Sequence, residues 1–198
     1  MRKGELLGLR WSDVDLGAMT FCVTGQVQTI AGETKRHDRT KTEDSRRTLP
    51  LTPYLVGRFR EQWAALQIER RRKDWREHGL VFPSEVGTPI SPRNLSTHYY
   101  DALVRADLIA SVAPAPKPAG KAGPKPTKRT AAGPKIPFHA LRHTALTRLA
   151  EVAPRHVVQA IAGHAPGDVT DGYLHATEAE MRQAIERLEE QLALRRAA

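Results

Sequence analysis

The sequence predicts an α+β domain, mainly helical, with a small three-stranded antiparallel sheet near its N-terminus. Three observations carry this expectation. Apolar residues alternate through "MTFCVTGQVQTI", with Met19, Phe21, Val23 and Val27 on one side and Thr20, Cys22, Thr24 and Gln26 on the other, the period of a half-buried strand. Thr52-Pro53 and Ser91-Pro92 each set a capping hydroxyl before a proline that suits the first helical position. Met181, Ile185, Leu188 and Leu192 recur at spacings of 4, 3 and 4 in the tail, which is a helical stripe that must pack on something.

Taken in order, "RKGELLGLRWSDVDL" reads as a short helix bearing Leu6, Leu7 and Leu9 that runs into a turn at Ser12 and Asp13. The alternating strand follows, then "AGETKRHD" as a polar turn. Segments around Arg39 to Lys41 and "RRTLPL" supply two further strands, joined by "KTEDS" as a second hairpin turn. The helix capped by Thr52 buries Val56, Phe59, Trp63 and Leu66, and the charged "ERRRKDWREHG" ends it at Gly79. The helix capped by Ser91 buries Leu95, Tyr99, Leu103 and Ala106. Residues 112–135 turn to alanine, proline, glycine and lysine, a composition that builds no core and predicts a flexible, extended insertion.

Beyond the insertion, "FHALRHTALTRLAE" opens a helix on which His139, Arg142 and His143 share one arc, beside an apolar stripe of Leu141, Ala145 and Leu149. A short helix from Pro154 to Ala162 stops at Gly163, and the loop "HAPGDVTDGYLH" leads to the tail helix. One main domain over residues 1–175 and an amphipathic helix over 176–198 follow from this order. That helix either folds back on its own domain or docks on a neighbouring protomer.

Charge and cysteine narrow the classes. The 31 basic residues exceed the 22 acidic ones by nine, which favours a polyanionic partner. Six of those surplus charges lie in the insertion, so net charge alone decides little. Cys22 stands alone, which excludes an intramolecular disulfide and fits a reducing cytoplasm. No apolar run approaches the ~20 residues of a membrane-spanning helix. His139 and His143 at i, i+4 could suggest a metal, but no HExxH pattern and no cysteine cluster complete a site. A polar helix start carrying these three side chains suits an anion, because helix N-termini favour negative charge.

The order Arg2 in "MRKGELLGLRW", Lys41 in "TKTEDSRRTLPL", His139 and Arg142 in "HALRH", His164 in "AGHAPGDVT" and Tyr173 in "TDGYLH" resembles the tyrosine recombinase (phage integrase) family. Its signature is Arg, Lys, His-x-x-Arg, His and Tyr in that order. The resemblance covers nearly the whole chain and includes "GELLGLRWSDVDL" and "LVFPSEVGTPISPRNL", with nine residues from His164 to Tyr173. It implies a catalytic domain that cleaves and rejoins double-stranded DNA through a 3′-phosphotyrosine, with neither metal nor other cofactor, working as a homo-oligomer, a tetramer on DNA.

The resemblance also assigns roles with a physical rationale. Arg2 and Arg142 would meet the charge that grows on the phosphate oxygens, their planar forks matching two oxygens at once. His164 would add a hydrogen bond. Tyr173 would attack phosphorus, His139 would take its proton, and Lys41 would protonate the leaving 5′-oxygen. Glu5, His143 and His175 match supporting positions, with Glu5 bracing the arginine or histidine. Arg46 and Arg47 are expected at the DNA backbone. Family members usually carry a helix before the first arginine and a separate N-terminal DNA-binding domain, and this chain is expected to lack both. That makes a noncatalytic, integrase-derived DNA-binding module the alternative. A type IB topoisomerase shares the chemistry, but the C-terminal helix suits docking on a protomer and favours the recombinase.

Overall fold

A computed structural model describes residues 1–38, 46–109, 136–163 and 176–197. About half of it is helical, with a small antiparallel sheet, as the sequence predicts. Helix α1 (Lys3–Gly8) leads through a 3₁₀ turn (Trp11–Asp13) into strands β1 (Val14–Asp15) and β2 (Thr20–Val23). Strands β3 (Gln26–Ile30), β4 (Glu33–His37) and β5 (Arg47–Pro50) precede helices α2 (Pro53–Glu69), α3 (Pro92–Arg105), α4 (Phe138–Val152), α5 (Arg155–Ala162) and α6 (Glu178–Ala197).

The three-stranded sheet has the order β1-β2-β5, with Phe21 opposite Leu49 and Val23 opposite Arg47. It differs from the sequence reading in composition. "MTFCVTGQVQTI" is two strands rather than one, because the chain turns at Thr24 and Gly25, where a Cβ on Gly25 would lie 2.6 Å from the His37 carbonyl oxygen. "AGETKRHD" is likewise not all turn. Only Ala31 and Gly32 turn, and Glu33–His37 pairs along β3 as a separate hairpin. Its buried side chain is a polar one: Arg36 donates Nε to the Gly8 carbonyl at 2.6 Å and Nη2 to Thr24 Oγ1 at 2.7 Å. The strand expected around Arg39 to Lys41 and the "KTEDS" turn lie outside the described residues.

The capping signals act as read. Thr52 Oγ1 accepts from Leu55 N and Ser91 Oγ accepts from Asn94 N, and each is followed by proline in the first turn. Helix α2 stops at Glu69, ten residues before Gly79. Its apolar stripe ends at Leu66, and Arg70 and Arg72 turn outward to Glu77 and Asp74. On α4 the inward face is Phe138, Arg142, Leu146 and Leu149, while Leu141 is 50% exposed and Ala145 is exposed. The expected stripe was therefore off by about one residue's rotation, because an arginine occupies the inward face.

The core has two parts. Leu7, Leu9, Val23, Val27, Leu49, Leu51 and Val81 are buried around α1 and the sheet. Leu149, Val157 and Ala184 join α4, α5 and α6, with Met181 and Leu188 packed on them, so α6 folds against its own chain. Thr52 ties the parts together, since its hydroxyl also donates to Glu189 of α6 at 2.9 Å. Thr52→Ala removes a cap and this bridge at once and is expected to cost about 1–2 kcal/mol, with Thr52→Ser restoring most of it. The urea midpoints of the two variants check this.

Candidate active site

Three distant segments converge on the C-terminal end of α5. That helix ends because Gly163 adopts the left-handed conformation, φ +67°, and turns its N–H back to the Gln159 and Ala160 carbonyls. The next three carbonyls have no intrahelical partner and sit at the negative end of the helix dipole. Each takes an arginine. Arg47 Nε donates to the Ile161 oxygen at 3.1 Å, Arg142 Nη2 to the Ala162 oxygen at 2.7 Å, and Arg2 Nη2 to the Gly163 oxygen at 3.0 Å.

Among the described residues, one carboxylate stands among these cations. Glu5 lies on α1 one turn after Arg2, its side chain only 3% exposed. It accepts from the Arg2 backbone N–H at 2.7 Å, from Arg2 Nη1 at 2.9 Å and from Arg47 Nη2 at 3.0 Å. Burial alone would raise its pKa, but the hydrogen bonds and charge of Arg47 and Arg2 outweigh burial and hold it at about 2. Glu5 is thus ionised throughout the neutral range and hydrogen-bonded to Arg2.

Among the described residues, three guanidinium groups stand against one carboxylate at this junction, an excess of positive charge. The Arg142 pKa is lowered by burial and then by the charge of Arg2, with Glu5 opposing and Arg47 adding to the effect. An anion placed there relieves the repulsion. Desolvation first, then His143, Arg142, Arg2 and Lys3, lower the His139 pKa as well, which favours its neutral imidazole. His139 and His143 are exposed beside the cluster, their rings perpendicular with centroids 4.5 Å apart. Lys3 Nζ reaches Ser96 Oγ at 3.0 Å, and Phe138 meets Tyr99 edge to face, so α1 and α4 are both seated on α3.

Of the residues singled out in the sequence, Arg2, Glu5, His139, Arg142 and His143 come together. Lys41, His164, Tyr173 and His175 lie outside the described residues. Arg46 is exposed, whereas Arg47, read with it as a DNA-backbone contact, has a side chain only 9% exposed and turned onto Glu5. The alternation in "RTLPL" carried that signal. Arg47, Leu49 and Leu51 share the inward face of a strand, and Arg46 and Thr48 take the other.

The fold thus gathers the guanidinium groups of Arg2, Arg47 and Arg142 around one helix end. Residues 1–180 match the phage integrase family, and the chain belongs to it. A tyrosine recombinase XerC-like protein of Caldanaerobacter subterraneus subsp. tengcongensis is 27% identical over 203 residues, spanning 95% of this chain and 46% of that protein. An integrase of Streptomyces ambofaciens is 36% identical over 115 residues, spanning 54% of this chain and 29% of its own length. The chain thus spans half or less of the curated relatives it matches. Among solved structures, the Tn1549 transposon integrase in complex with circular intermediate DNA aligns with a TM-score of 0.59 at 22% identity, covering 95% of this chain and 56% of that one. XerA recombinase aligns with a TM-score of 0.52 at 19% identity, covering 96% and 52%. These two likenesses are of fold.

Proposed function

We propose that this chain is the catalytic part of a site-specific DNA recombinase, acting on double-stranded DNA in the cytoplasm as a homo-oligomer and passing through a 3′-phosphotyrosine. The observation that carries the reading is the seating of Arg2 and Arg142 on the adjacent carbonyls of Gly163 and Ala162, which supports two forks acting together on one phosphodiester. Names and fold of the relatives support it: a XerC-like recombinase, integrases, and a transposon integrase with DNA.

In this reading the scissile phosphate lies against Arg2 and Arg142, with His164, the residue after Gly163, adding a hydrogen bond. The Tyr173 oxygen attacks phosphorus, its proton passes to neutral His139, and the 5′-oxygen leaves with a proton from Lys41. The 3′-phosphotyrosine preserves the phosphoester bond energy, so reversal by a new 5′-hydroxyl rejoins a strand. Residues 1–175 form the catalytic domain and 176–198 its C-terminal helix.

Nicked duplex carrying a candidate site tests this. An SDS-resistant protein-DNA adduct is expected from the chain and is lost in Tyr173→Phe. DNA binding with no adduct, from this chain and from one extended at its N-terminus, overturns the proposal in favour of a noncatalytic DNA-binding module.

A further inference from the structure

The phosphate chemistry uses Arg2 and Arg142 and leaves Arg47 without a part. Yet the Arg47 side chain is only 9% exposed, against 44% for Arg2, and its bonding is divided between two elements. Its Nη2 and Nη1 lie 3.0 and 3.5 Å from the two Glu5 oxygens, and its Nε donates to the Ile161 carbonyl. The same guanidinium covers Gly163, where an added Cβ would fall 2.4 Å from Nη1 and 2.6 Å from Cζ. Glu5, which Arg47 grips, in turn holds Arg2 through both its backbone N–H and its side chain. Arg142 is fixed one carbonyl further along the same helix end.

The geometry points to Arg47 as a positioning residue that sets the spacing of the two phosphate-binding arginines by tying Glu5 of α1 to the end of α5, without itself reaching DNA. The inference rests on the recombinase reading. A planar fork is required, because three donors must point in fixed directions to two carboxylate oxygens and a carbonyl. A lysine reaches only one of them.

The charged groups facing Glu5 are Arg2 and the Met1 amine on its own segment, Arg47 on β5 and Arg142 on α4. Without Arg47 the effect of burial on Glu5 is opposed by less positive charge, so its carboxyl protonates at a higher pH than in the parent chain. Once protonated it no longer braces Arg2. A side chain that only filled space would leave no such trace in a pH profile.

The test is single-turnover cleavage of a nicked duplex by pre-bound protein. Arg47→Met and Arg47→Lys are both expected to slow cleavage about 30- to 100-fold, the scale of an ångström's misplacement. DNA affinity should stay within about threefold, since no phosphate contact is removed. The Glu5 carboxyl, followed by NMR, should titrate at a higher pH in Arg47→Met than in the parent chain, and Arg47→Lys, which keeps the charge, should move it less. Full activity in Arg47→Lys, or weakened binding with an unchanged rate once bound, overturns the inference. The pair Glu5→Gln with Arg47→Met removes both charges together and serves if the single variants fold poorly. Should neither the parent chain nor one extended at its N-terminus form an adduct, the recombinase reading fails. The Glu5 carboxyl, followed by NMR, still decides the tie to Arg47, for a titration unmoved by Arg47→Met refutes it.

Discussion

Glu5→Gln is expected to lower the stability of the chain by about 3 kcal/mol at pH 7, with the deficit shrinking toward zero as pH falls to 2. The substitution keeps the shape of the side chain and removes its charge, which leaves the enclosed Arg47 guanidinium without its counter-ion. Breaking a buried pair in this way costs about 3–5 kcal/mol, because the surviving charge stays desolvated. The carboxyl gives an independent figure of the same size. Its pKa falls from 4.5 to about 2, which at 1.36 kcal/mol per unit is about 3 kcal/mol.

The direction with pH follows from linkage. A carboxyl depressed on folding contributes fully above its unfolded value of 4.5 and loses that contribution as pH falls through its folded value of about 2. Parent and Glu5→Gln should therefore differ most above pH 5 and converge below it. Urea midpoints at pH 7, 5, 4 and 3 check this, and a gap that stays constant over that range would contradict the assignment. Cleavage should fall as well, since Arg2 loses its partner.

Gly163→Ala is the second large effect, expected at about 2–3 kcal/mol with a loss of cleavage. Two causes add. At φ +67° an alanine pays about 1–2 kcal/mol for the left-handed conformation. Its Cβ also meets the Arg47 guanidinium at 2.4 Å. A free arginine would swing aside cheaply. This one is fastened to Glu5 and to the Ile161 carbonyl, so moving it breaks those bonds. The two sites should therefore couple. In a double-mutant cycle, Gly163→Ala costs markedly less when Arg47 is already methionine, because only the backbone strain remains. Strict additivity would mean that the close contact relaxes without loss.

The parts of this fold that sequence reading recovered are those with local causes. Thr52-Pro53 and Ser91-Pro92 start helices, and Gly163 stops one, because capping is settled within four residues. What it missed turns on polar groups facing inward. Strand β4 reads as a turn because Arg36, its buried side chain, is satisfied by Gly8, Thr24 and Asp13, which are remote in sequence. The inward face of α4 was misjudged for the same reason, Arg142 standing where a stripe of leucines would be sought. Glu5, His139, Arg142 and His143 were legible as a site through motif order. The part played by Arg47 was legible only in the strand period of "RTLPL".

The bond from Arg2 to the Gly163 oxygen spans 161 positions of the chain. A ribosome making this protein releases Arg2 and Glu5 long before α5 exists, so until then the arginine has only its local bonds to Glu5. Closing so wide a loop is slow, and its entropy is lost before the contact gives anything back. A nascent chain can therefore assemble this junction of arginines only once residue 163 has left the exit tunnel, and every earlier stalled or cleaved fragment lacks it.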